Sequence, residues 1–302
     1  MLKHLTKMSD LSKLDILAIL DLADSMKSAQ KAGNPSTPLK GKTLAMIFQK
    51  ASTRTRVSFE TGMYQLGGQA LFLSASDLQM GRGEPIEDTA RVLGRYVDGI
   101  MIRTFAQSDV DELAKWSGIP VINGLTDYDH PCQILADLMT IREHKGKLEG
   151  LKLCYVGDGN NVCNSLVVGC LTVGMKVSVA VPKGHEPHAD VLAFAKAFGD
   201  AFELIADPAH AAKGADVLVT DVWASMGQEA EAAARMKVFA NYQINAELMA
   251  VANPDAIVLH CLPAHRGEEI TADVFEAHAN VIFDEAENRL HAQKAVMAIL
   301  ME

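Results

Sequence analysis

Apolar residues along this chain follow two rhythms. Short continuous runs, such as "TLAMIF" at Thr43 to Phe48 and "GIMI" at Gly99 to Ile102, have the composition of strands buried on both faces. Between them the spacing turns helical: Phe59, Met63 and Leu66 recur at i, i+4 and i+7, and Gly67-Gly68 ends that pattern. Strand-like runs are predicted at 43–48, 70–73, 99–102 and 119–122, then at 151–157, 176–181, 201–205, 216–220, 256–260 and 280–283. Residues 131–144 read as a helix, with Pro131 in its first position and Ile134, Leu135, Leu138 and Ile141 as the apolar stripe. The last segment, Glu285 to Leu300, reads as another helix. Strands alternating with helices predict an α/β protein with mainly parallel sheets flanked by helices.

Gly146 and Gly150 punctuate the chain before "LKLCYVG" begins a second series of strands. At 302 residues the chain is long enough for two domains, and its 49% hydrophobic content can fill two cores. The boundary is expected in or just after the 131–144 helix, which would bridge the halves.

Charge narrows the partners. A net charge of −10 and a pI near 5.5 speak against general binding of nucleic acid or acidic membranes. The five cysteines, Cys132, Cys154, Cys163, Cys170 and Cys261, form no Cys-x-x-Cys pair. Neither a disulfide framework nor a metal site is expected from them. The start "MLKHLTKMSD" lacks a signal-peptide core and no run approaches a membrane span, so a cytoplasmic protein is the simplest expectation.

Against that acidic background, "KASTRTRVSFE" at 50–60 stands out. It lies between a predicted strand and a predicted helix, where the first helical N–H groups lack partners and the dipole end is positive. Ser52, Thr53 and Thr55 add hydroxyls, and Arg54 and Arg56 add guanidinium forks. This is the chemistry of an oxyanion site, a phosphate above all. An N-cap followed by solvated arginines would equally explain the stretch in isolation.

Other polar residues fall at predicted strand ends: Arg103 after "GIMI", His130 in the loop after "IPVIN", Asn160 and Asn161 after "CYVGDG", Asp221 after "VLVT", and Cys261 after "AIVLH". Loops at strand C-termini form clefts in such folds, so these groups are expected to share a crevice. His130 is the expected N-cap of the 131–144 helix, three residues before Gln133. "GDGNNV" begins like a dinucleotide fingerprint, but Val162 replaces its third small residue and the next strand ends in Pro182-Lys183 where an acidic ribose acceptor would be needed. No cofactor is expected.

Read together, "STRTR", "HPCQ", "DVWASMG" and "HCLPA" resemble the aspartate/ornithine carbamoyltransferase family, and within it the ornithine-using branch. The resemblance spans essentially the whole chain. It implies a carbamoyl-phosphate domain over 1–142, with a 286–302 helix packing back on it, and an ornithine domain over 143–285. It also implies a homotrimer, a place in arginine biosynthesis, and transfer of the carbamoyl group of carbamoyl phosphate to L-ornithine, giving L-citrulline. Position by position, Ser52, Thr53, Arg54 and Thr55 would hold the phosphate, with Gln79 reaching it from the adjacent subunit and Arg289 closing the site. Arg103, His130 and Gln133 would bind the carbamoyl end. Asn161, Asp221, Ser225 and Met226 would bind ornithine, and Cys261 and Leu262 would line the reacting amine. Arg103, His130 and Cys261 are the expected catalytic groups, Cys261 by positioning the amine and not by covalent attack.

An aspartate carbamoyltransferase carries Pro-Leu-Pro-Arg where this chain has Cys261-Leu262-Pro263-Ala264, and Ala264 offers a dicarboxylate no arginine. Putrescine would have no use for α-amino-acid ligands, and an N-acylated ornithine would need room for its acyl group. A non-catalytic metabolite-binding relative would not need the full set of transition-state donors. His260 is expected to point to the face opposite Cys261, because side chains alternate along a strand.

Overall fold

In the computed structural model, which describes residues 2–224 and 231–302, the chain forms two compact units. One comprises Met1–Met139 with Glu287–Glu302, the other Thr140–Ala286. Each holds a parallel sheet flanked by helices, as the alternation of apolar patterns predicts.

The first unit runs α1 (Lys13–Lys31), β1 (Thr43–Phe48), α2 (Thr53–Gln65), β2 (Gln69–Ser74), α3 (Ile86–Leu93), β3 (Gly99–Arg103), α4 (Gln107–Trp116), β4 (Val121–Leu125) and the start of α5 (Pro131–Lys145). Among the described residues its strands lie in the order β2-β1-β3-β4, all parallel. The chain winds from β1 outward to β2, then returns to β3 on the other side of β1. Loops after β1 and β3 therefore diverge, which leaves a crevice at the strand ends. The register pairs Phe48 with Arg103, so "STRTR" begins beside that arginine.

The second unit contains β5 (Lys152–Val156), α6 (Asn161–Thr172), β6 (Lys176–Ala180), α7 (Ala189–Ala195), β7 (Phe202–Ile205), α8 (Pro208–Ala212), β8 (Val217–Thr220), α9 (Ala232–Phe239), α10 (Ala246–Val251), β9 (Ile257–His260) and α11 (Ala272–Ala277), and then enters α12 (Ala279–Met301). The order β7-β6-β5-β8-β9 puts the change of winding direction between β5 and β8. Cys154, Val156, Leu218, Val258, Ile270 and Phe275 fill the core on one side of this sheet. Burial pushes the Cys132 and Cys154 thiols up to about 12, so they act as core packing and not as nucleophiles. The two units share a device at the strand starts: Asp98, before β3, accepts the Thr43 N–H at 2.8 Å, and Asp216, before β8, accepts the Lys152 N–H at 2.8 Å.

The strand expected at 280–283 is absent; those residues open α12, which extends the helix predicted from Glu285 back to Ala279. "VIF" alone has strand-like composition. No turn residue separates it from the helix formers Glu285, Ala286, Glu287 and Leu290, so the helical pattern absorbs it. Ile282 is buried while its neighbour Phe283 faces out, as a helix surface allows.

From Glu287 onward α12 belongs to the first unit and packs on its helices. A Cβ on Gly62 of α2 would come within 2.8 Å of Met297 Cε, so α12 lies almost against the α2 backbone. Lys27 of α1 donates to Asn288 at 2.8 Å, and Lys294 to Gln65 at 2.8 Å, which satisfies ammonium groups that burial alone would penalise. Among the described residues no helix is long and apolar enough to cross a membrane.

Candidate active site

The crevice residues of the first unit come from four places in the chain. Ser52 caps α2: its Oγ accepts the Thr55 N–H at 3.2 Å and lies 3.1 Å from Thr55 Oγ1. Losing a cap of this type costs about 1 kcal/mol. Thr53 and Arg54 follow in the first turn, outside the core, while Thr55 is buried. Arg103 ends β3 and is buried, its carbonyl accepting the Gln49 N–H at 2.8 Å. Arg289 reaches in from α12, donating to Gln133 Oε1 at 2.7 Å and to Thr55 Oγ1 at 3.4 Å. Gln133 passes the interaction on, its Nε2 donating to Asp137 Oδ1 at 2.8 Å.

His130 sits within this ring of donors. Its carbonyl accepts the first N–H bonds of α5, from Gln133 at 3.0 Å and Ile134 at 3.4 Å, as an N-cap position requires. Its imidazole is buried. Burial drives the imidazole pKa well below its usual value, and the charges of Arg289, Arg103 and Arg54 push the same way. His130 is therefore neutral at pH 7, and the net charge of the cluster is carried by three guanidiniums. Such a cluster attracts an anion and can offer a neutral hydrogen-bonding ring beside it.

Arg56 is not part of this cluster. Its guanidinium stacks 3.7 Å from the Phe72 ring centre and its Nε donates to Glu60 at 3.0 Å. Of the two arginines in "STRTR", one belongs to the crevice and the other covers the sheet edge.

In the second unit the central group is Asp221, directly after β8 and buried. Its Oδ2 accepts from Asn160 Nδ2 at 2.7 Å; its Oδ1 accepts the Val222 N–H at 2.8 Å and the Cys261 thiol at 3.2 Å. Asn160 also caps α6, accepting the Val162 and Cys163 N–H groups at 3.0 and 3.1 Å. Asn161, predicted as a ligand, is the first residue of α6 and only partly buried. Leu262 follows Cys261 with φ of +59°, a left-handed conformation that costs a residue bearing a side chain about 1–3 kcal/mol. Ser225 and Met226 lie outside the described residues.

The "GDGNNV" turn does something other than hold a pyrophosphate. A Cβ at Gly159 would lie 2.4 Å from the backbone of His185 to Pro187, so this glycine lets two chain segments pass. The helix-end N–H groups a phosphate would need are taken by Asn160.

Sequence reasoning passed over an ion pair made by Asp158 of this turn. Arg235, beyond the 225–230 segment, is buried; its Nε donates to the Trp223 carbonyl and its guanidinium pairs with Asp158. Burial nonetheless raises the Asp158 carboxyl above its ordinary range, against the pull of Arg235 and His185. Such links join residues far apart in sequence, and a Gly-Asp-Gly turn gives no sign of them. Gln79 stands elsewhere, exposed on a short 3-10 turn over Gln79–Arg82.

The family description "Aspartate/ornithine carbamoyltransferase, carbamoyl-P binding domain" matches residues 3–143, and "Aspartate/ornithine carbamoyltransferase, Asp/Orn binding domain" matches 149–300. The ornithine carbamoyltransferase of Carboxydothermus hydrogenoformans is 61% identical over 298 residues, 97% of this chain and 96% of its own length. That of Thermococcus kodakarensis is 57% identical over 97% of this chain and 95% of its own. The solved ornithine carbamoyltransferase of Pyrococcus furiosus superposes with a TM-score of 0.95 at 55% identity, covering 99% of this chain and 97% of that one.

Proposed function

The chain belongs to the aspartate/ornithine carbamoyltransferase family, and from that premise we propose that it transfers the carbamoyl group of carbamoyl phosphate to the δ-amine of L-ornithine, giving L-citrulline and phosphate. The observation that carries this reading is the neutral His130 held among Arg54, Arg103 and Arg289, with Thr55 and Gln133 alongside. A dianionic donor substrate needs the guanidiniums. Its carbonyl oxygen needs donors that do not compete with them for charge.

In the reaction the neutral δ-amine attacks the carbamoyl carbon. A C–N bond forms, the bond from carbon to the bridging oxygen breaks, phosphate leaves with the electron pair, and the nitrogen gives up a proton. Negative charge grows on the carbonyl oxygen and then on the departing phosphate. Arg103, His130 and Thr55 serve the first; Ser52, Thr53, Arg54 and Arg289 serve the second. A single donor aimed at such charge is worth roughly 3–4 kcal/mol.

The second unit supplies the acceptor side. Asp221 is the partner for the α-ammonium of ornithine, with Asn161, Ser225 and Met226 as further ligands. Cys261 and Leu262 line the δ-amine. The thiol of Cys261 donates to Asp221, a role in which its hydrogen stays on sulfur, and this supports positioning over covalent attack. The test is a citrulline-type ureido-product assay with ornithine, aspartate, putrescine and N-acetylornithine. Ornithine is the expected acceptor; efficient turnover of aspartate would overturn the reading, because Ala264 supplies no guanidinium.

The chain acts as a homotrimer in which Gln79 reaches the phosphate site of the adjacent copy. Supporting this, Val57 and Tyr64 of α2 and Leu71 and Phe72 of the edge strand β2 leave apolar surface exposed on one unit. The enzyme is assigned to the cytoplasm and to arginine metabolism, in either its biosynthetic or its catabolic direction, with no cofactor, metal, nucleic acid or membrane in its action.

A further inference from the structure

His260 ends β9, and strand alternation sends its side chain away from Cys261. Fully buried there, the imidazole meets the chain again from behind. Its Nδ1 accepts the Leu262 N–H at 2.9 Å, and its Nε2 lies 3.0 Å from Glu269 Oε1. An Nδ1 that accepts a backbone N–H carries no proton, so the network assigns the hydrogen to Nε2, which donates to Glu269. Glu269, also fully buried, accepts the His265 N–H at 2.6 Å on the same oxygen. The His260 N–H is held by Glu285 Oε2 at 2.8 Å. One imidazole and one carboxylate thus tie together the end of β9, the left-handed Leu262 and the start of the 265–270 turn.

We infer that His260 is a positioning residue for the acceptor amine, with Glu269 anchoring its ring. The imidazole holds the Leu262 N–H, which keeps Leu262 in its left-handed conformation and keeps the Cys261 thiol within 3.2 Å of Asp221. This rests on the reading that the Cys261–Leu262 corner lines the reacting amine. A pair serving only core stability would make the same contacts, so the test must separate stability from placement.

Two substitutions do so, because each keeps one half of the imidazole. Asn places its Oδ1 where Nδ1 was, and Gln places its amide nitrogen where Nε2 was. His260→Asn retains the acceptor for Leu262 and loses the donor to Glu269; His260→Gln does the reverse. The expected result is that His260→Gln keeps a thermal midpoint near wild type yet loses about a hundredfold in kcat. His260→Asn should melt lower but turn over within about fivefold of wild type. The dissociation constant for carbamoyl phosphate should not change in either. Equal kcat losses in the two variants, or losses that follow the melting temperature, overturn the inference. If His260→Gln does not fold, the double variant His260→Phe/Glu269→Met, which removes the Leu262 acceptor and leaves no buried carboxylate unpaired, must show reduced kcat with unchanged carbamoyl-phosphate binding, and an unchanged kcat overturns it. Amide hydrogen exchange at Leu262 gives a readout independent of activity. It should be slow in wild type and His260→Asn and fast in His260→Gln; slow exchange in His260→Gln sinks the idea. A wild type that makes no ureido product from ornithine would instead sink the functional reading, while the exchange result still reports on the corner.

Discussion

The crevices of the two units are built on one plan and carry opposite charge. Each lies where a parallel sheet changes its winding direction, between β1 and β3 in the first unit and between β5 and β8 in the second. In each a helix begins just after the first of those strands, capped by a small polar residue, Ser52 or Asn160. In the first, three guanidiniums surround an imidazole kept neutral. In the second, a buried carboxylate gathers an amide, a backbone N–H and a thiol. Backbone topology chooses the place and side chains choose the sign. The cationic crevice suits a phosphorylated donor, and the acidic one suits an ammonium.

The sharpest way to break this comparison is to remove a charge from the cationic side. Arg54→Ala should lower turnover about a hundred- to a thousandfold while circular dichroism stays native, since Arg54 is not a core residue. Near-normal turnover would return Arg54 to the role of a solvated helix residue. The same variant tests sharing between copies: dissociated and reassembled with an inactive Gln79→Glu chain, it should regain roughly a quarter of wild-type activity, as random assortment in a closed ring requires.

A smaller effect is expected on the acidic side. Cys261→Ser keeps a donor for Asp221 and should retain measurable turnover, reduced by about ten- to a hundredfold. Mass spectrometry of the wild type with carbamoyl phosphate alone should show no carbamoylated cysteine. A stoichiometric adduct would make Cys261 a nucleophile and end the description of the second crevice as purely a binding surface.

The mildest effect concerns protons. His130 has a folded pKa well below 6.5, so below that pH the unfolded chain takes up a proton that the folded chain refuses. Stability is therefore fully present above about pH 7 and declines as pH falls through 6.5 toward the lower folded value. His4, His278 and His291 are also depressed, mainly by burial, and add to the slope. Thermal melts from pH 7.5 to 5 should show the fall, and His130→Asn should flatten part of it. A slope unchanged by that substitution would contradict the depressed imidazole.

Much of this was legible in the chain because parallel strands buried on both faces read as apolar runs, and the residues that follow such runs stand out as polar. Arg103, Asp221 and Cys261 were visible in that way. Arg289 was not: nothing in the helical pattern of "ENRLH" distinguishes a guanidinium bonded to Gln133 from one in solvent, and only the family resemblance marked it. Asp158 and Arg235 escaped because their pairing spans a long stretch of chain. His260 was set aside because alternation turns it away from Cys261, as observed, and the rule is silent on the chain doubling back one residue later to meet its ring. The false strand at 280–283 arose from composition read without its continuation.

Arg289 also has a consequence for how the protein is made. The first crevice needs a residue that follows the second unit in the chain, and the whole of Thr140–Ala286 emerges from the ribosome between its two parts. At about 5–20 residues per second, that delay is on the order of ten seconds. Throughout it, Gln133 and Thr55 lack their guanidinium partner and the groove beside Gly62 lacks α12. A nascent chain therefore cannot complete its anion site ahead of time, and termination between Ala286 and Arg289 yields a polypeptide with a finished second unit and an unfinished first.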